Sequence, residues 1–372
     1  MSADEIVDTT ADSHSGSILT ALLAIGTLYA FALDKTGKVR VTAVCRSNYN
    51  VLQDTGLDFE SDRLGNHNAW KPYRVVRTVE EAADRTYAYV VCAFKCVPEI
   101  TTTPALLAPL ISNLAKAHAS PNPPTDASVT STFVLLQNGI GIEDDLLDAL
   151  NAIRTPGVYT TVVSGNCWVD TTAVDGGRKI VQHGNERLVL GYHRPTSTNP
   201  SPTTGFSEDM AKKSLGELVE LFRAGGSVVE AAPDADVARW RKVLWNASFS
   251  TICTLARAHV GDVLALESSR QALKDIMAEV LTVARASLTP SPAVEQELSD
   301  AVIDRIIANE NPNSVFRPSM LVDLDHGRPM EVEAIVGGVL RRARAMEVPT
   351  PKLDLIYAGL SVIQSNLIKG RA

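Results

Sequence analysis

The segment Trp240-Arg241-Lys242-Val243-Leu244-Trp245-Asn246-Ala247-Ser248-Phe249-Ser250 holds the chain's clearest chemical pattern. Lys242, Asn246 and Ser250 stand at i, i+4 and i+8, so on a regular α-helix they share one face while Leu244, Trp245 and Phe249 point mostly elsewhere. A lysine followed by an amide and a hydroxyl can meet a substrate oxygen, the lysine supplying a proton or a positive charge. The same spacing describes a solvated polar stripe, the commoner fate of such faces. Three more polar positions follow apolar, strand-like runs: Arg46 after Val39–Cys45, Lys95 after Tyr89–Ala93, and Asn138-Gly139 after Phe133–Gln137. Strand ends are where an open parallel sheet forms its ligand crevice. An arginine at the second strand's end suits the 2′-phosphate of NADP, where an acidic residue would suit the ribose of NAD. A solvated arginine reads equally well there.

Ser17–Tyr29 has the hydropathy of the first strand, turn and helix of a dinucleotide-binding fold. With Gly26 as the third glycine of G-x-G-x-x-G, the first falls on Ala21 and the second on Leu23. The first glycine permits the tight turn and the second lets the backbone touch the pyrophosphate. A leucine side chain at the second position is expected to project into the phosphate volume.

The remaining composition narrows the classes. The 372 residues carry a net charge of −8, with 45% hydrophobic and 21% charged residues. That is ordinary for a folded domain and too apolar for disorder. An acidic chain without a Lys/Arg run argues against nucleic acid and against an anionic membrane surface. Five scattered cysteines (Cys45, Cys92, Cys96, Cys167, Cys253) with no C-x-x-C, and histidines without ligand spacing, indicate buried thiols and no metal site. The apolar run Ile18–Leu33 is shorter than the roughly 20 residues that span a bilayer. It follows an acidic flank, unlike a signal peptide. A cytoplasmic small-molecule protein is expected.

These residues need elements to position them. Residues 1–16 read as a loose tail. From 17 to 230, strand candidates (Ile18–Leu22, Val39–Cys45, Tyr89–Ala93, Phe133–Gln137, Thr160–Ser164, Leu188–Tyr192) alternate with helix candidates (Gly26–Leu33, Ala105–Ala117, Ile142–Ile153, Glu208–Ala224). That alternation points to a mostly parallel sheet covered on both faces. Ser120–Ser128 and Pro195–Gly205 are Pro/Ser/Thr-rich surface loops within this domain. From 231 to 372 the pattern is helical. Apolar stripes run through Arg270–Leu288 and Glu331–Met346, and Thr350-Pro351 offers an N-cap with proline at the first helical position.

W-R-K-x-x-x-N opening a helical second domain resembles ketopantoate reductase, the 2-dehydropantoate 2-reductase family. So do L-Q-N-G-I-G after the fourth strand, V-C-R-S-N-Y after the second, and S-M-L-x-D…E-V-E…R-R-A-R near the C-terminus, in order from about Ser17 to Gln364. The resemblance implies a Rossmann-like α/β domain followed by an all-α domain of the 6-phosphogluconate-dehydrogenase type. It also implies NADPH in the crevice and reduction of a 2-oxo acid to a 2-hydroxy acid. By that resemblance Lys242 is the general acid and Asn246 orients the substrate, while Glu331 and Ser319 complete the pocket. Asn138 and Lys95 fall at the cofactor–substrate junction, and Arg46 at the 2′-phosphate.

The departures are Ala21 and Leu23 in the glycine loop, Ser250-Thr251 in place of N-P, and no asparagine near Val260. The dinucleotide half is eroded while the Lys242, Asn246, Ser319 and Glu331 half is kept. The leading expectation is therefore a repurposed enzyme of specialised metabolism with a vestigial NADP site or none. It would catalyse a cofactor-independent cyclisation, isomerisation or pericyclic step on a carbonyl-containing organic substrate, which Ser250, Ser319, Asn138 and Lys95 would help bind. The alternative is an NADPH-dependent reductase of a 2-oxo acid, with Gly26, Arg46, Asn138 and Lys95 on the cofactor. A non-catalytic scaffold is the third reading, and a homodimer is allowed by all three.

Overall fold

In the computed structural model the described residues are 17–21, 24–116, 129–153, 155, 157–194 and 206–370. The expected tail, both Pro/Ser/Thr-rich loops, Leu23 and the Ala21 side chain lie outside them.

One mixed sheet dominates the first part. Its strands are β1 (Ser17–Ala21), β2 (Arg40–Val44), β3 (Leu57–Ser61), β4 (His67–Trp70), β5 (Arg74–Val76), β6 (Tyr89–Cys92), β7 (Val129–Leu135), β8 (Val158–Val174), β9 (Lys179–Tyr192) and β10 (Val229–Ala231). The order is β4-β3-β9-β8-β7-β6-β1-β2-β5, with β10 also on β9. From β8 to β5 every pairing is parallel. Central parallel strands are covered on both faces and read as apolar runs. Tyr89, Val90, Val91 and Cys92 of β6 are accordingly all buried.

The sheet is less uniformly parallel than the sequence pattern predicts. β8 and β9 form one long antiparallel hairpin, closed by Asp175-Gly176-Gly177, all three with positive φ. Such turns match the twist of the flanking strands. β8 therefore continues well past the expected Ser164, and β9 begins well before the expected Leu188. Beyond Val169 the hairpin leaves the core, so its residues alternate with solvent and lose the apolar signature.

Helix Ala24–Asp34 connects β1 to β2 and is buried from Gly26 to Leu33, between the sheet and helix Glu208–Ala224. Tyr29 meets Phe222 edge to face at 5.5 Å. A helix apolar all round needs cover on every side, which accounts for the Ile18–Leu33 run. No helix among the described residues is long and apolar enough to cross a membrane.

After β10 the described chain is helical. Helix Glu267–Ser287 runs through its middle, burying Leu273, Ile276, Met277, Val280, Leu281, Val283 and Ala284. The C-terminal helix Pro351–Ile368 starts at the expected proline, but Thr350 does not cap it with its side chain. Glu279 of the central helix does so instead, accepting from the Lys352 and Leu353 amides at 3.0 Å each. Its two oxygens satisfy two amides, so the threonine hydroxyl is left to bond Asp354.

Candidate functional site

Lys242 sits near the end of helix Ala235–Trp245, which Asp234 caps by accepting from the Asp236 and Val237 amides. Arg239, three residues earlier and 1% exposed, moors that helix to the sheet. Its guanidinium donates to Ser164 Oγ (2.8 Å), Gln137 O (3.1 Å) and Gly139 O (3.2 Å), and faces Glu143 Oε2 at 3.6 Å. The carbonyls just past β7 thus find their donors on the helical part of the chain. Sequence reasoning missed Arg239, although it stands directly before the Trp240-Arg241-Lys242 motif.

Gly139 completes the joint. Its φ is +121°, and a Cβ there would lie 2.5 Å from Ala334 O, which already accepts from the Ile140 amide at 3.0 Å. Only glycine fits a backbone pressed that closely in that conformation. Gly139→Ala is expected to cost about 2–3 kcal/mol in urea unfolding; a loss under about 0.5 kcal/mol, the usual surface value, would show that the two parts do not meet there.

Ser164, His193 and Asp236 line up like a nucleophilic triad, with Ser164 Oγ 2.5 Å from His193 Nε2 and His193 Nδ1 3.3 Å from Asp236 Oδ1. Ser164 is fully buried and already accepts from Arg239, so a substrate cannot reach it. The chain is structural. Burial opposes charge on His193, but Glu143 and Asp236 outweigh it and raise the imidazole pKa, against a minor opposing effect of Arg239. A raised folded-state pKa stabilises the protonated fold, fully below about pH 6.5 and progressively less as pH climbs through the folded value. His193→Gln should therefore lower the Tm more at about pH 6 than at about pH 9. A pH-independent difference would mean that His193 is neutral throughout.

A polar knot forms where the chain just past β6 and β7 meets the helices. Glu331 is its hub: Oε1 accepts from the Cys96 amide at 3.0 Å, while Oε2 takes Asn138 Nδ2 at 3.3 Å and Lys95 Nζ at 3.6 Å. Lys95 also pairs with Asp323 at 2.7 Å. Burial pushes the Lys95 pKa down, but Glu331 and Asp323 together hold it above the usual lysine value. Lys242 behaves oppositely. It is 8% exposed, and its Nζ has no hydrogen bond or ion pair among the described residues, lying 6.0 Å from the centre of the Trp168 ring. Burial lowers its pKa, with Cys167 and Glu331 opposing and Arg239 reinforcing the fall. An unpartnered buried ammonium with a depressed pKa is suited to giving a proton to an oxygen brought beside it.

Asn246 and Ser250 are both buried, but the shared face expected from their spacing does not form. Asn246–Ser250 is a π-helical turn, and its wider winding rotates Ser250 away from the i+4 ladder. A second π turn, Glu333–Gly337, packs against it. Such bulges cluster at functional sites. Here Ser248 and Thr251 hydroxyls bond back to Leu244 and Ala247 carbonyls at 2.7 Å, taking up acceptors that the irregular winding frees. Asn246 remains one turn beyond Lys242.

The structure brings Lys95, Asn138 and Glu331 into contact and puts Lys242 within the field of Glu331. Ser319 is apart from that knot: it is exposed, at the first position of helix Ser319–Asp325, which packs on the 246–250 turn. Arg46 is exposed two residues past β2, without an ion pair among the described residues, and Gly26 is buried in the first turn of helix Ala24–Asp34. Val260, where an asparagine would be expected, is fully buried core. Asp323, the other carboxylate on Lys95, was missed by sequence reasoning; it is the aspartate of the quoted S-M-L-x-D segment. All five cysteines are free and buried. Burial pushes Cys45, Cys96 and Cys253 up to about 12, so they offer no thiolate.

A mostly parallel α/β sheet is thus followed by a helical part that meets the carboxyl ends of its central strands, with the Lys95–Asn138–Glu331 contacts at the joint. The family described as Ketopantoate reductase PanE/ApbA matches residues 24–195, and Ketopantoate reductase PanE/ApbA C terminal matches residues 234–364. This chain belongs to the ketopantoate reductase family. The 2-dehydropantoate 2-reductase of Nostoc sp. is 24% identical, over 91% of this chain and 92% of its own. The crystal structure of 2-dehydropantoate 2-reductase from Methylococcus capsulatus aligns with TM-score 0.72 at 25% identity, covering 95% of this chain and 97% of that one. D-mandelate dehydrogenase, solved with NADH and anilino(oxo)acetate, shares the fold at 17% identity and TM-score 0.68, over 95% and 99% of the two chains.

Proposed function

We propose that this protein reduces the carbonyl of a 2-oxo acid to the 2-hydroxy acid at the expense of NADPH. The carrying observation is the buried, unpartnered Lys242 ammonium beside the Glu331–Lys95–Asn138 knot. Family membership supports the redox reading over the cofactor-independent step that Ala21 and Leu23 suggest. The steric case for that step rests on side chains outside the described residues.

The donor set suits the nucleotide. Arg46 stands exposed just past β2, without an ion pair among the described residues, where a 2′-phosphate would lie, and Lys95 and Asn138 follow β6 and β7, further along the same parallel run of strands. Bound there, NADPH would supply the hydride. This chain supplies the rest. Lys242 Nζ protonates the carbonyl oxygen as it gains charge, and its depressed pKa eases that transfer near neutral pH. The Asn246 amide is placed to hold the substrate's oxygen or carboxylate, a turn from the lysine. Glu331 is already engaged by Lys95, Asn138 and the Cys96 amide, so it positions those donors rather than shuttling protons.

The test is direct. With NADPH and a panel of 2-oxo acids, 2-dehydropantoate among them, the reduced nicotinamide absorbance should fall with formation of the 2-hydroxy acid. NADPH consumption by none of the panel, alongside turnover of a carbonyl compound without cofactor, would favour the cyclase-type reading.

A further inference from the structure

Arg46 has a neighbour of its own kind. β5 ends the sheet beside β2, paired parallel to it through Thr42↔Arg74, Ala43↔Val75 and Val44↔Val76. The Cys45 amide donates to Val76 O at 2.9 Å, so the pairing runs one residue past β2. Arg77 therefore leaves the sheet opposite Cys45, at the same carboxyl edge as Arg46. Only one strand spacing, about 4.8 Å, separates the two main chains there.

The Arg77 side chain is seated. Its guanidinium carbon lies 3.9 Å from the centre of the Tyr49 ring, and Nη2 donates to Asn50 Oδ1 at 3.0 Å. Tyr49 and Asn50 come shortly after Arg46, so the segment that carries one arginine also holds the other. The ring contact and the single bond fix the plane of the fork. Its other side-chain N–H groups make no hydrogen bond among the described residues. The acidic residues just after it leave the guanidinium free. Glu80 forms no ion pair with it, Glu81 accepts from the Arg77 main-chain amide at 2.9 Å, and Asp84 pairs with Arg74 and Arg85. Arg46 and Arg77 are thus two exposed guanidiniums at one sheet edge, neither in an ion pair among the described residues.

Two like charges at one edge call for a compact dianion between them. A phosphomonoester carries about −1.5 to −2 charge at pH 7 and three acceptor oxygens, and the planar fork of arginine matches it. A ribose diol offers no such charge. We propose that Arg77 is a second phosphate-binding residue of the nucleotide site, closing with Arg46 on the 2′-phosphate of NADPH, an assignment that rests on the reductase reading of the crevice. Tyr49 and Asn50 are its positioning residues. Ala21 and Leu23 replace two of the three loop glycines, and a phosphate held by two guanidiniums offsets weaker contact at the pyrophosphate.

The experiment is calorimetric titration of the full chain with 2′,5′-ADP, which carries the 2′-phosphate without the nicotinamide, and with NADPH and NADH. Arg77→Gln should weaken 2′,5′-ADP and NADPH by about tenfold or more, the worth of one charge-assisted bond. NADH should stay within about twofold, and the Tm should hold because the side chain is exposed. Arg77→Lys should recover only part of the loss, since an ammonium keeps the charge but not the fork. Tyr49→Leu and Asn50→Ala, which release the fork, should each weaken 2′,5′-ADP about threefold with NADH unchanged. Equal binding of NADPH and 2′,5′-ADP by wild type and Arg77→Gln would overturn the role of Arg77 and leave the reductase reading standing. Parallel losses of NADH and NADPH in Arg77→Gln would also overturn it, because the effect would not lie at the 2′-phosphate. A wild-type chain that binds neither NADPH nor 2′,5′-ADP would overturn both.

Discussion

Replacing Lys242 by methionine is expected to lower kcat for 2-oxo acid reduction by about 10²–10⁴-fold, the range usual for a positioned general acid. Methionine keeps the length and apolar stem of lysine, and the Nζ bonds no described residue, so the Tm should hardly move. Wild-type rates should also fall on the alkaline side. The reacting form is the ammonium, and burial sets its pKa below the ordinary lysine value of about 10.4. The rate should decline as pH rises through that lowered value, and the limb should vanish in the variant. Activity within a few-fold of wild type would mean that the proton comes from elsewhere.

The second large effect is structural. Arg239→Met should destabilise the protein by about 3–5 kcal/mol, the usual cost of breaking a buried charge pair from one side. The loss is not the ion pair alone. Glu143 would be left buried without its counter-charge, and the Gln137 and Gly139 carbonyls and the Ser164 hydroxyl would each lose a donor. Chemical unfolding measures this, and Arg239→Lys should recover only part of it, since one ammonium cannot span acceptors on two strand ends. A change under about 1 kcal/mol would place the mooring of the Lys242 helix in its apolar contacts instead.

These two residues also show what the sequence could and could not convey. Lys242 is legible because it stands in a local pattern, i and i+4 with Asn246. Arg239 is not, because its partners are main-chain carbonyls about a hundred residues away, and no spacing records them. The central strand β6 is legible as an apolar run because both of its faces are covered, whereas β7 runs over Val129–Leu135 rather than the expected Phe133–Gln137, its first half, Val-Thr-Ser-Thr, carrying no apolar run. The outer halves of β8 and β9 are not legible either, because they leave the core and alternate polar with apolar. The two π turns are invisible to periodicity for a similar reason. Their stripes of Ala247 and Phe249, and of Ile335 and Val336, fit an ordinary helix, and only the winding reveals that Ser250 has left the Lys242 face. Glu331 entered through family resemblance alone. Its role as the hub of Lys95, Asn138 and Cys96 needed three chain segments to be brought together.

The central claim is that the crevice still takes NADPH although Ala21 and Leu23 replace two loop glycines. Calorimetric titration of the full chain with NADPH tests it most directly. Binding with Kd in the micromolar range, about −8 kcal/mol, is expected, with NADH weaker because Arg46 has no 2′-phosphate to meet. No binding below about millimolar, weaker than roughly −4 kcal/mol, would contradict the reductase and leave Lys242 to a cofactor-free reaction.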